Sequence, residues 1–139
     1  MSESLIVEEI TKVFPRTKRP ALDKVSISLG DGEIMALVGE SGSGKTTLLR
    51  IIAGLEQPDS GKVTIGGEIV YGAESKTLLP EERNIGFVFQ DYALFPHLNV
   101  EKNILYGLHN ITRKTERNER ASYIINLAGL EGLEKRFPH

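Results

Sequence analysis

The chain predicts an α/β fold, and three features of its 139 residues carry that reading. Strand-like segments crowd the first half and helix-like segments the second. A continuous apolar run, "IMALV" (Ile34 to Val38), leads into a glycine-rich loop that opens a helical pattern. A Gly66-Gly67 pair separates two short stretches of β-prone residues, the signal of a tight hairpin.

Each element has its own signal. "SLIVEEITKVF" alternates apolar and polar residues and predicts a strand near Leu5 to Val13; "TKRPALDKVSISL" predicts a turn and a second strand near Val25 to Leu29. "GDGE" (Gly30 to Glu33) is turn chemistry. The run Ile34 to Val38 has no polar face, as expected of a strand buried on both sides. "KTTLLRIIAG" predicts a short helix, apolar over most of its surface and so expected to be buried, with Gly54 as the residue past its C-cap. "NIGFVFQ" predicts a further apolar strand ending at Gln90. "LNVEKNILYGL" and "TERNERASYIINLAGL" predict helices beginning near Val100; in the second, Ala121, Ile124, Ile125 and Ala128 share a face, and Thr115 is the expected cap.

The composition narrows the function classes. With 40% hydrophobic and 26% charged residues the chain is globular rather than disordered. A net charge of −2 without a basic block argues against a nucleic-acid partner. The absence of cysteine excludes disulfides, thiolate metal sites and a cysteine nucleophile, and fits a reducing compartment. The acidic N-terminus lacks the pattern of a signal peptide, and the longest apolar run is too short to cross a membrane.

"GESGSGKTTLLR" (Gly39 to Arg50) carries the chemistry. Gly39, Gly44, Lys45 and Thr46 fill the fixed positions of the phosphate-binding pattern G-x-x-x-x-G-K-[ST]. The motif follows an apolar run and opens a helix, where backbone N–H groups and the helix dipole favour an anion. Gly42 and Gly44 let the backbone wrap phosphates closely, Lys45 can reach the β and γ oxygens, and the Thr46 hydroxyl can ligate Mg²⁺. The pattern by itself names no reaction.

"GFVFQDYALFPHLNVEKNILYGL" (Gly86 to Leu108) resembles the Q-loop region of ABC-transporter ATPases, and "LDKVSISLGDGEIMALVGESGSGKTTLLRIIAGLEQPDSGKVTIGG" is similar to that family almost without a break. The resemblance runs from about Val7 to His139. It implies a P-loop NTPase core with an antiparallel β subdomain up to about residue 99, and the start of a helical subdomain over residues 100–139. It implies that Phe14 stacks on adenine, that Ser41, Gly42, Ser43, Gly44, Lys45, Thr46 and Thr47 cradle phosphate beside Gly39 and Glu40, and that Gln90 ligates Mg²⁺ and senses the γ-phosphate. The apolar loop carrying Tyr92, Leu94, Phe95, Pro96 and His97 is then the surface that meets a membrane-spanning permease subunit. His97 belongs to that surface rather than to a metal site.

The same resemblance implies ATP and Mg²⁺ as cofactors, a second copy of the ATPase subunit as partner, and a peripheral place on the cytoplasmic face of the inner membrane. "AGLEQPDSGKV", "LPEERNIGFVFQDYALFPHLNVEKNILYGL" and "KRFPH" resemble ferric-iron importer ATPases most, with maltose-type and polyamine-type importers sharing most of these residues. The family's pattern continues past "FPH" into its signature motif, Walker B aspartate, catalytic glutamate and switch histidine. The expectation is therefore a core truncated before the Walker B strand, which binds ATP–Mg²⁺ without hydrolysing it. A P-loop binding module without catalytic duty is the competing class. A small-molecule kinase is disfavoured, since the length leaves no place for an acceptor lid.

Overall fold

The structure is a computed structural model that describes residues 3–15, 17, 19–73, 77–91 and 93–139. The chain divides into two compact units, residues 1–87 and residues 88–139. In the first, strands β1 (Glu3–Lys12) and β2 (Leu22–Gly30) precede helix α1 (Lys45–Ile52), and strands β3 (Ser60–Ile65) and β4 (Glu68–Tyr71) precede a short 3₁₀ turn at Pro80–Glu82. The second holds helices α2 (Val100–Gly107) and α3 (Lys114–Leu127). The fold is thus mixed α/β with an antiparallel sheet, in the order β2-β1-β3-β4.

Both β1 and β2 form where alternation predicted them, and Gly66-Gly67 joins β3 to β4. The alternation in β1 is nonetheless broken. Val7 and Ile10 are both buried although three residues apart, which a regular strand with its two-residue period forbids. A bulge resolves the conflict: Val7 faces Ile27 and Ile10 faces Val25 on β2, while Glu8 faces Lys62 and Thr11 faces Ser60 on β3. Glu9 takes a left-handed backbone (φ 47°) at this point. Opposite it, Gly61 has φ 105°, and a Cβ there would lie 2.6 Å from the Glu8 carbonyl oxygen and 2.7 Å from that of Glu9. Only glycine fits both the backbone angle and the gap.

One core joins the sheet to the helix: Val7, Ile10, Leu22, Val63 and Val70 cluster with Leu48 and Ile51 of α1. The helix is buried on one face only, since Leu49 is 46% exposed. Its C-terminus closes with a Schellman motif, as Gly54 suggested: the Gly54 N–H donates to Ile51 O (3.0 Å) and the Leu55 N–H to Arg50 O (2.9 Å). Arg83 adds to this end. Its Nη1 donates to Ile51 O (2.8 Å) and Ile52 O (2.9 Å), and its Nε to Leu78 O (3.1 Å). Burial lowers the pKa of this guanidinium, and the three carbonyls stabilise the charge where water does not reach.

The two apolar runs differ from expectation. Neither Ile34–Val38 nor Asn84–Gln90 joins a strand, and both carry exposed side chains: Ile34 is 99%, Val38 92% and Val88 88% exposed. A strand exists only through its neighbours' hydrogen bonds, and the four-stranded sheet takes in neither run.

In the second unit α2 packs against α3, which buries Ala121 and Ile125 and leaves Ala128 exposed. The helix α3 starts two residues earlier than a Thr115 cap predicts: Arg113 is the N-cap and makes no side-chain capping bond. The first turn of α2 is fully engaged. Val100 N–H donates to Arg136 O, Glu101 N–H to Glu134 O, and Lys102 N–H to the Asn99 side chain, at 2.9, 3.0 and 2.9 Å. Lys135 Nζ adds an ion pair with Glu101 at 2.6 Å.

Gly61→Ala forces a side chain against two carbonyl oxygens at an unfavourable φ. It is expected to destabilise the first unit by about 2 kcal/mol or more, read as a lowered urea midpoint.

Candidate functional site

The site is built on the N-terminus of α1. Gly44 is the N-cap, with φ 91°, and a Cβ there would lie 2.4 Å from the Ala21 carbonyl oxygen. The loop backbone therefore rests directly on the chain that enters β2. The Leu48 N–H donates to Gly44 O at 2.9 Å, starting the helical ladder at the loop. Lys45 turns its ammonium back into the loop, donating to Gly39 O (2.8 Å), Glu40 O (2.7 Å) and Ser43 Oγ (3.2 Å). An ammonium has three donors, and all three are engaged on the inner side of the loop. Phosphate oxygens are the natural replacement for such acceptors.

A cleft of about 530 Å³ opens over this helix end. Gly42, Ser43, Gly44, Lys45, Thr46 and Thr47 form one wall, and Phe14 forms part of the other. Gly39 lies outside this cleft and lines a smaller adjoining cavity of about 260 Å³ with Ser43, Gly44 and Lys45. Glu40 and Ser41 are exposed and line neither space, though the Glu40 carbonyl holds Lys45. Thr17, Arg19, Pro20 and Ala21 complete the cleft beside Phe14. Sequence reading missed them, since only the turn after β1 brings them there. The turn is held by Thr17, whose N–H and Oγ1 both donate to Phe14 O at 3.0 Å.

The remaining site residues belong to the second unit. Gln90 is exposed, and Tyr92 lies outside the described residues. Leu94 is 56% exposed, Pro96 and His97 are exposed, and Phe95 is half-buried. The Phe95 ring packs on Tyr106 at a centroid distance of 4.4 Å and meets His97 edge-on at 5.9 Å. Asn103 organises this loop, and sequence reading missed it. Its Oδ1 accepts from the Phe95 N–H (2.9 Å), and its Nδ2 donates to the carbonyls of Phe95 (3.2 Å), Leu98 (2.9 Å) and Asn99 (3.1 Å). The Asn99-x-x-x-Asn103 spacing at a helix start is the one local sign of this arrangement.

A glycine-rich loop running into a helix N-terminus beside a cleft of this kind defines a P-loop architecture. The profile of the ABC transporter family matches residues 22–139, and the chain belongs to that family. It is 50% identical over 137 residues to a sulfate/thiosulfate import ATP-binding protein of Agrobacterium fabrum, covering 95% of this chain and 38% of the relative. It is 44% identical over 136 residues to an Fe(3+) ions import ATP-binding protein of Haemophilus influenzae, covering 97% of this chain and 37% of that one. The chain thus spans well under half the length of these relatives. Among solved structures, the ATP-binding cassette MJ0796, in a dimeric post-hydrolysis state bound to ADP and Pi, superposes with a TM-score of 0.80 at 30% identity. That match covers 96% of this chain and 61% of the other. Among the described residues no helix is long and apolar enough to cross a membrane.

Asn103→Ala removes four hydrogen bonds and leaves the Phe95 N–H without its acceptor. A loss of about 2 kcal/mol in the second unit is expected, read by urea unfolding.

Proposed function

We propose that the protein is the ATP-binding subunit of an ABC importer, and that residues 1–139 carry the part that grips the nucleotide. The observation that carries this reading is the single cleft shared by an aromatic ring and a phosphate loop. In it Phe14 stacks on adenine, the amides of Gly42 to Thr47 hold the phosphates, and Lys45 leaves its loop carbonyls for the β and γ oxygens. The Thr46 hydroxyl, in the same cleft, fits Mg²⁺. When bound, Mg²⁺ neutralises charge on the phosphates. Membrane-spanning permease subunits and a second copy of the ATPase subunit are the partners, which gives the protein a peripheral place on the inner membrane. The sulfate/thiosulfate and ferric relatives support an inorganic solute. Sulfate or thiosulfate stands ahead of the ferric iron that the resemblance suggested, because identity to the sulfate/thiosulfate relative is higher. Uptake of radiolabelled sulfate and ferric iron by cells carrying or lacking the gene separates the two.

Residues 1–139 are expected to bind ATP–Mg²⁺ in calorimetry without turning it over. Lys45→Ala should weaken that binding about tenfold or more, because each charge-assisted bond contributes ~1.5–3 kcal/mol. A positioned general base is worth about 10²–10⁴-fold in rate, and Gln90 is not one at neutral pH. Phosphate release comparable to an intact transport ATPase, abolished by Lys45→Ala, contradicts this reading.

The exposed Leu94 is the anchor of the permease-facing loop, with Phe95 held behind it on Tyr106. In the intact protein Leu94→Ser is expected to leave ATP affinity unchanged and to weaken co-purification with the permease, since a lost apolar anchor costs ~2 kcal/mol. Unchanged assembly and transport assign Leu94 no partner role.

A further inference from the structure

The nucleotide reading leaves a half-buried charge near the cleft, Lys12, without a role. Lys12, the last residue of β1, has a side chain only 12% exposed. Its Nζ lies 2.6 Å from Glu56 Oε1 and 2.6 Å from the carbonyl oxygen of Gln57. The same ammonium sits over the Phe14 ring, 5.2 Å from its centroid. A carboxylate, a carbonyl and an aromatic face surround this half-buried ammonium.

The surrounding backbone is fixed at several points. The Val13 N–H donates to Asp59 Oδ2 at 2.6 Å, the Asp59 N–H to Thr11 O at 2.9 Å, and the Ala21 N–H to Lys12 O at 2.7 Å. The segment leading into β3, Glu56 to Asp59, thus clamps the end of β1 on one side of Phe14, and the Thr17 turn holds the other. Phe14 lines the cleft and Lys12 does not. The cation therefore meets the ring from outside the cleft.

We propose that Lys12 is a positioning residue for base recognition: pinned by Glu56 and Gln57, its ammonium holds the Phe14 ring so that the cleft-facing side is presented to a purine. The inference rests on the nucleotide reading of the cleft and adds to it a separate determinant of base affinity. Phosphate affinity comes from the loop around Lys45, which Lys12 does not touch. The two contributions are separable with a ligand that has phosphates and no base.

The test is calorimetry on the intact protein with ATP–Mg²⁺ and with Mg²⁺–tripolyphosphate. Lys12→Met is expected to weaken ATP about five- to tenfold, the scale of one partly desolvated cation–π contact, and to leave tripolyphosphate within about twofold. Lys12→Arg, which keeps a cation, should retain most of the ATP affinity. In a Phe14→Ala background Lys12→Met should add nothing further. Unchanged ATP affinity in Lys12→Met overturns the proposal. So does an equal loss for both ligands, which a merely structural lysine produces, or a full additional loss in the Phe14→Ala background. Failure of the parent protein to bind ATP at all overturns the nucleotide reading itself, and is seen before any variant is made.

Discussion

The backbone of Gly44 lies so close to the Ala21 carbonyl that no side chain fits between them. This contact fixes the start of α1 against the chain entering β2, and the rest of the site follows from it. The Ala21 N–H is tied to Lys12 O at the end of β1, so the glycine-rich loop and the segment carrying Phe14 are joined through one residue. The apolar burial of Leu22, Leu48 and Ile51 in one core holds the same junction from below. A substitution at Gly44 therefore strains the backbone at φ 91° and separates the two walls of the cleft together.

The bulge at Glu9 and Gly61 works in the same direction. It lets Val7 and Ile10 both point into the core, and it changes the face on which everything after it lies. Without the extra residue, Lys12 and Phe14 would fall in a different register against Glu56 and Asp59. The strand end is thus aimed by a defect in the ladder, a frequent use of bulges beside binding sites.

What could be read from the sequence was what is local. The glycine-rich loop at the start of α1 was legible because four residues at fixed spacing, after an apolar run and before a helix, have a mechanical reason to occur together. The strands β1 and β2 and the Gly66-Gly67 hairpin were legible from period and turn chemistry. The bulge was not, because "VEEI" contains no turn residue and its cause is a glycine on another strand. The runs Ile34–Val38 and Asn84–Gln90 read as strands because they are apolar, yet strand pairing is a non-local property and the observed sheet does not include them. Thr17 and Arg19 in the cleft, Asn103 under the Phe95 loop and Lys12 behind the Phe14 ring all depend on contacts between separate segments. Nothing local in the sequence marks Arg83, which is buried because the carbonyls of Ile51, Ile52 and Leu78 converge on it.

The central claim is that one cleft holds base and phosphates together, between Phe14 and the loop Gly42 to Thr47. An NMR titration of the protein with ATP–Mg²⁺ tests it most directly. The account predicts that the amide signals of Gly44, Lys45 and Thr46 and the ring protons of Phe14 shift along the same saturation curve, with ring-current shifts at Phe14 from a stacked purine. Loop amides that titrate while the Phe14 ring does not respond would contradict it.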